Sequence, residues 1–207
     1  MKIIYRGGYN KLDPKSVKNS TLYVYQKAIL NFINKKKNVA IVTLAKPDDF
    51  YDEMIRELNL DRVEVINYKS DNVDWSKYDL IIILGGNTHE LYDKLVSQNF
   101  DIKLLKEDVI IIGDSAGAYV LGTSVLIQDP DSDLQAIPGF CPESNLFVIA
   151  HCNNPKYCND NILTFIENSA KKQNIEVLKL NENEEKLLDE NGKLNPTDKN
   201  REEMENL

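Results

Sequence analysis

Residues 109–112, Val-Ile-Ile-Ile, run without interruption into Gly113-Asp114-Ser115-Ala116-Gly117, and a helix-like stretch follows. No other part of the chain limits the fold as strongly. A β-branched run that stops at Gly-x-Ser-x-Gly before a helix is a strand–turn–helix unit with a serine on its sharp bend. The glycines omit side chains where strand and helix come too close for a Cβ. Ser115 then stands clear of the sheet edge at a helix N-terminus, where the Ala116 amide and the helix dipole favour a developing negative charge. Such a unit demands a sheet with helices packed on it, and it suggests a nucleophilic serine. Glycine, serine and alanine also populate plain strand-to-helix turns, so partners must supply the case for chemistry. The string GDSAG is similar to the GDSGG of chymotrypsin-like proteases, but those are all-β and this chain alternates strands with helices.

The alternation covers most of the chain. Apolar, β-branched runs at 2–5, 39–44, 63–66, 80–84, 109–112 and 146–150 read as strands. Amphipathic stretches at 21–34, 48–58, 88–98, 116–124 and 157–171 read as helices. Several strands are apolar throughout, as a sheet covered on both faces requires. The pattern predicts an α/β fold: a doubly wound, mostly parallel sheet flanked by helices. Beyond residue 172 the segments 175–180 and 185–188 are short and extended, and Asn191-Gly192 supplies the positive φ angles of a tight turn, so a small C-terminal β hairpin is expected. Residues 1–195 are read as one α/β domain and 196–207 as a polar tail.

Net charge bounds the partners. With 25 Lys and Arg against 33 Asp and Glu, the formal charge is −8, which speaks against nucleic acid as a partner. No apolar run reaches the ~18 residues of a membrane span, and the N-terminus MKIIYRGG reads as a first strand rather than an export signal. Three clustered cysteines, Cys141, Cys152 and Cys158, are expected to be free thiols in a cytoplasmic protein.

A serine hydroxyl needs a base, and the chain holds two histidines. His89 falls in the first turn of a helix that Asn87 would cap, with Glu90 in a capping-box position; a surface residue is expected. His151 ends the apolar run 146–150 and is expected at the same sheet edge as Ser115. It is the candidate base. The group that orients its imidazole is open among Asp129, Asp131, Asp133 and Glu143, all between serine and histidine, with Asn153 as an amide substitute. For the oxyanion, the Ala116 amide and the Gly86 amide of the Gly85-Gly86-Asn87 turn are the candidate donors. His151, Cys152 and Cys158 do not make a metal set, because neighbours along a strand point to opposite faces and no second Cys-x-x-Cys pair is present; no metal and no cofactor are expected. Gly7-Gly8 matches neither a dinucleotide fingerprint nor a P-loop.

The pair LGGNTHELYDKL (84–95) and IIGDSAGAYVLG (111–122), with a histidine ending the next apolar strand, resembles peptidase family S51. This is the dipeptidase E and cyanophycinase group, whose fold is similar to that of class I glutamine amidotransferases. The resemblance implies a Ser-His-acid hydrolase that acts on small peptides, with Ser115 as nucleophile and His151 as base. In the dipeptidase branch the acid precedes the histidine, and Asp129 is its nearest match here. In the cyanophycinase branch a glutamate beyond the histidine serves instead, and the first acid beyond His151 is Asp160. Asp114 departs from the family's usual small or aromatic residue before the nucleophile. Placed at the site mouth, its carboxylate would repel an acidic substrate side chain.

Two other readings remain open at this level. One is a non-catalytic binding or regulatory protein that keeps the amidotransferase-like sheet. The other is an esterase of the α/β-hydrolase type, which usually takes its histidine from a late loop; no histidine follows residue 151.

Overall fold

A computed structural model of the chain describes residues 1–10, 14–47, 50–128 and 133–196. The strands of the main sheet are β1 (Lys2–Arg6), β2 (Val39–Val42), β3 (Glu64–Ile66), β4 (Leu80–Ile83), β5 (Ile110–Asp114), β10 (Glu185–Leu188) and β11 (Leu194–Pro196). Their order is β11-β10-β1-β5-β4-β2-β3. The five strands from β1 to β3 are mutually parallel, and β10 and β11 add an antiparallel hairpin at the β1 edge.

The register explains why these runs are apolar throughout. Ile4, Ile112, Ile82 and Ile41 stand in one row across four strands, and Ile3, Ile111, Ile81 and Ala40 in the next. Successive residues of a strand point to opposite faces. The first row packs under α1 (Thr21–Val24), α2 (Gln26–Asn34) and α3 (Asp52–Glu57). The second packs against α4 (Thr88–Ser97) and α5 (Ala116–Val120). All of these side chains are buried, each isoleucine contributing roughly 1.5–3 kcal/mol of hydrophobic stabilisation.

A second sheet was not visible in the sequence. It has four strands in the order β7-β6-β8-β9: β6 (Ser124–Ile127), β7 (Gln135–Pro138), β8 (Leu146–Ile149) and β9 (Glu176–Lys179). Its inner face, with Val125 and Val148, joins the core under α4 and α5. Its outer face, with Leu126, Phe147 and Ile149, is covered by α6 (Asp160–Gln173) through Ile162, Ile166 and Ala170, a stripe at four-residue spacing. Asn159 caps that helix by accepting the Ile162 N–H at 3.1 Å, and Asn174 ends it in the left-handed region at φ 54°.

The α/β class, the largely parallel main sheet and the C-terminal hairpin agree with the sequence reading. Three local readings do not. Residue 124 belongs to β6, because α5 stops at Val120. The stretch 21–34 divides at Tyr25 into two helices. β8 lies in the second sheet, beside β9 and β6, rather than in the main one. The expected tail, from 197 onward, lies outside the described residues. No helix among the described residues is long and apolar enough to cross a membrane.

Candidate active site

Ser115 sits between β5 and α5 with φ 55° and ψ −112°, a backbone conformation that L side chains rarely adopt. The bend is held from both sides. The Ser115 N–H donates to the Arg6 carbonyl at the end of β1 (3.0 Å), and the Ser115 carbonyl accepts the Ala118 N–H (2.9 Å). Helix α5 lies almost on the sheet: a Cβ at Gly117 would stand 2.1 Å from the Ile83 carbonyl oxygen, so only glycine fits there.

His151 follows β8 and is also left-handed, at φ 55°. Its N–H donates to the Gly7 carbonyl (3.1 Å). Its ring is buried, packs on Tyr157 at a 37° tilt with centroids 4.8 Å apart, and lies against Gly8, where a Cβ would fall 2.4 Å from Nε2. Gly7-Gly8, which matched no ligand-binding motif, therefore lets the chain after β1 pass close to two neighbours, Gly7 to the Asn181 carbonyl and Gly8 to the imidazole.

The imidazole bridges two side chains. Ser115 Oγ is 3.0 Å from Nε2, and Glu182 Oε1 is 3.0 Å from Nδ1. A carboxylate only accepts, so Nδ1 carries the proton toward Glu182 and Nε2 presents its lone pair to the serine hydroxyl. Glu182 is held in the turn between β9 and β10. Its N–H donates to Asn153 Oδ1 (2.8 Å), and its Oε1 also accepts from Asn154 Nδ2 (2.9 Å). His151 and Glu182 side chains are 10% and 11% exposed, so solvent screens their interaction weakly.

Of the acids considered between serine and histidine, Asp129 and Asp131 lie outside the described residues. Asp133 borders a surface depression with Asn161 and Thr164 of α6, away from Ser115. Glu143 is exposed in the turn before β8. Asn153 does reach the site, but through the backbone of Glu182 rather than the imidazole. Glu182 itself was missed, since the run Asn181-Glu182-Asn183-Glu184 reads as a polar turn. A signal was present. A strand at 146–150, a helix at 157–171 and an extended segment at 175–180 make a βαβ unit, and parallel strands deliver the residues that follow them to one edge.

Asp114 is not at the site mouth. It is 4% exposed and directed inward, with Oδ1 3.7 Å from Arg6 Nη1. Arg6 is itself buried; it donates Nε to Glu185 Oε2 (3.0 Å) and Nη1 to Thr21 Oγ1 (2.6 Å). The expected repulsion of acidic substrates by Asp114 is therefore withdrawn. Its charge acts instead on Tyr9, whose hydroxyl is pushed up by burial and then by Asp114.

His89 is a helix-surface residue as expected, 3.3 Å from Asp93 one turn on, beside an Asn87 cap that accepts the Glu90 N–H at 2.9 Å. It also borders the cleft. That cleft has two lobes that share Gly86, Ser115, His151, Lys156 and Tyr157. One, of about 270 Å³, is walled by Thr88, His89, Tyr119, Leu126, Gln128 and Ile162. The other, of about 340 Å³, is walled by Tyr9, Asn10, Lys46, Asn154 and Glu182. Cys141, Cys152 and Cys158 are free, and burial followed by the neighbouring Cys158 pushes the Cys152 thiol up to about 12. Among the described residues no three His, Cys, Asp or Glu side chains converge as metal ligands.

A serine on a strained strand-to-helix bend, facing a histidine across a cleft in an α/β sheet, is the arrangement of a serine hydrolase. The chain matches the model of peptidase family S51 over residues 15–195, and it belongs to that family of serine peptidases. Among curated proteins there is no match.

Proposed function

We propose that the chain hydrolyses short peptides through Ser115, His151 and Glu182. The observation that carries this is the unbroken line of hydrogen bonds from Ser115 Oγ through both ring nitrogens to Glu182, at 3.0 Å each. In this mechanism His151 Nε2 takes the hydroxyl proton as Oγ attacks the peptide carbonyl. Glu182 holds the ring's orientation and stabilises the imidazolium that forms. The same proton then passes to the leaving amine, and water repeats the sequence to release the acyl group. The oxyanion is held by the amides of Gly86, which lines both lobes with Ser115, and of Ala116, the residue that follows it. Glu182 takes the role for which Asp129 was the nearest sequence match.

Short substrates suit the cleft, whose lobes of about 270 and 340 Å³ hold a residue or two on either side of the nucleophile. Lys46 and Lys156 border the second lobe, and neither meets a carboxylate among the described residues. A free peptide carboxylate matches that pair.

The experiment is active-site labelling with a fluorophosphonate, together with cleavage of a panel of di- to tetrapeptides. The proposal expects one label, at Ser115, and loss of both labelling and cleavage in Ser115→Ala with an unchanged circular dichroism spectrum. A folded wild-type protein that takes no label and cleaves nothing would be a binding module instead.

A further inference from the structure

Asn154 stands outside the nucleophile, the base and the acid, yet it is bonded to two of them. Its Nδ2 donates to Glu182 Oε1 at 2.9 Å, the same oxygen that faces His151 Nδ1. Its backbone N–H donates to the His151 carbonyl at 2.8 Å. Its Oδ1 accepts the Lys156 N–H at 3.2 Å, and its carbonyl accepts the N–H groups of Tyr157 and Cys158, both at 3.0 Å. Both ends of the amide are therefore committed. A reversed amide would set oxygen against the Glu182 carboxylate and NH₂ against the Lys156 N–H, so only one orientation satisfies the site.

We propose that Asn154 is a positioning residue that holds the Glu182 carboxylate on His151, tying the acid's orientation to the loop from His151 to Cys158. This rests on the serine-peptidase reading above. Glu182 has a flexible side chain in a turn, and one hydrogen bond to the imidazole leaves its carboxylate free to rotate. The second donor on the same oxygen removes that freedom, and Asn153 fixes the Glu182 backbone beneath it. The loop carries Lys156 and Tyr157 into the cleft, so a substrate that moves those side chains also acts on the acid.

A purely structural role makes a different demand on the same residue. The Oδ1 contact to Lys156, two residues on, is a local turn bond that aspartate makes equally well. The Nδ2 bond to Glu182 is one that aspartate cannot make. Asn154→Asp keeps the turn and replaces the donor with a second carboxylate against Glu182. Asn154→Ala removes both contacts.

Two readouts test the proposal on the full chain. Kinetics on a cleaved peptide should show kcat lowered about tenfold to a hundredfold in both variants, with KM within about twofold, as for other residues that orient a catalytic group. Proton NMR at low temperature should show the low-field His151 Nδ1–H in the wild type and its loss to exchange in both variants. His89→Gln assigns the signal, since the chain has two histidines. Wild-type kcat in Asn154→Asp, whatever Asn154→Ala does, overturns the proposal; so does a low-field signal that is absent from the wild type or kept in both variants. A wild type that cleaves no peptide and takes no fluorophosphonate overturns the peptidase reading alone, because the NMR comparison still decides whether Asn154 holds Glu182 on the ring.

Discussion

Glu182 Oε1 lies 3.0 Å from His151 Nδ1 although the two are thirty-one positions apart in the chain. Parallel pairing of β8 with β9 makes the contact: Ile149 stands opposite Lys179, and the Cys152 N–H reaches the Leu180 carbonyl at 3.0 Å. Two chain segments that leave neighbouring strands at the same edge cannot avoid one another. Replacing the carboxylate while keeping its shape should therefore be severe. Glu182→Gln presents an amide that can donate to Nδ1 and favour the wrong tautomer, so kcat should fall by about a thousandfold or more with KM little changed. Asp129→Asn should stay within about twofold of wild type. Steady-state kinetics on one peptide decides between the two acids, and the reverse ranking would remove Glu182 from the mechanism.

Gly8 should matter to catalysis, whereas Gly192 should matter only to stability. Both have positive φ, 80° and 74°. A Cβ at Gly8 would meet His151 Cε1 and Nε2 at 2.4 Å, whereas one at Gly192 meets nothing within 4 Å. Each alanine substitution should cost on the order of 1 kcal/mol through backbone strain. Only Gly8→Ala should also push the ring off Ser115 and lower kcat, by about tenfold or more, since small displacements of reacting groups are costly. Urea unfolding and kcat measured on both variants test the contrast.

The buried charges behind the bend should respond unequally. Arg6 compensates both Glu185, at 3.0 Å, and Asp114, at 3.7 Å. Arg6→Met removes the cation that both buried carboxylates face and should destabilise the protein by about 3–5 kcal/mol. Asp114→Asn should change stability by no more than about 1 kcal/mol. Arg6 keeps Glu185, and Asp114 Oδ1 has no hydrogen-bond partner to lose. Because Asp114 points away from the cleft, Asp114→Asn should leave the ratio of cleavage of acidic to neutral peptides unchanged. A selective gain on acidic peptides would put its charge back at the substrate.

Cys152 adjoins His151 in sequence but should take no part in the chemistry. Burial, with Cys158 beside it, pushes its thiol up to about 12, so it stays protonated at neutral pH, and the thiolate is the reactive form. Iodoacetamide at neutral pH should leave peptide cleavage intact, while a fluorophosphonate abolishes it. Rapid inactivation by iodoacetamide would point to a thiol nucleophile.

Sequence alone determined the features that depend on neighbours along the chain. The bend at Ser115 needs only a β-branched run, two glycines and a helix start. The isoleucine runs of β4 and β5 are apolar at every position because both faces of the sheet are covered. The hairpin at Asn191-Gly192 follows from a local backbone preference, although Gly192, at φ 74°, takes a positive φ and Asn191 does not. His151 was legible because the chain offers so few imidazoles. Tertiary structure decided what acts on these groups. Whether β8 joined the main sheet or a second one, which way Asp114 turned, and which carboxylate met the far nitrogen of His151 all depended on strand pairings between distant segments. Glu182 and Asp114 show the reason: a carboxylate in a polar turn and one beside Ser115 differ little as letters, and only the packing around each fixed which of them would face the imidazole and which would face Arg6.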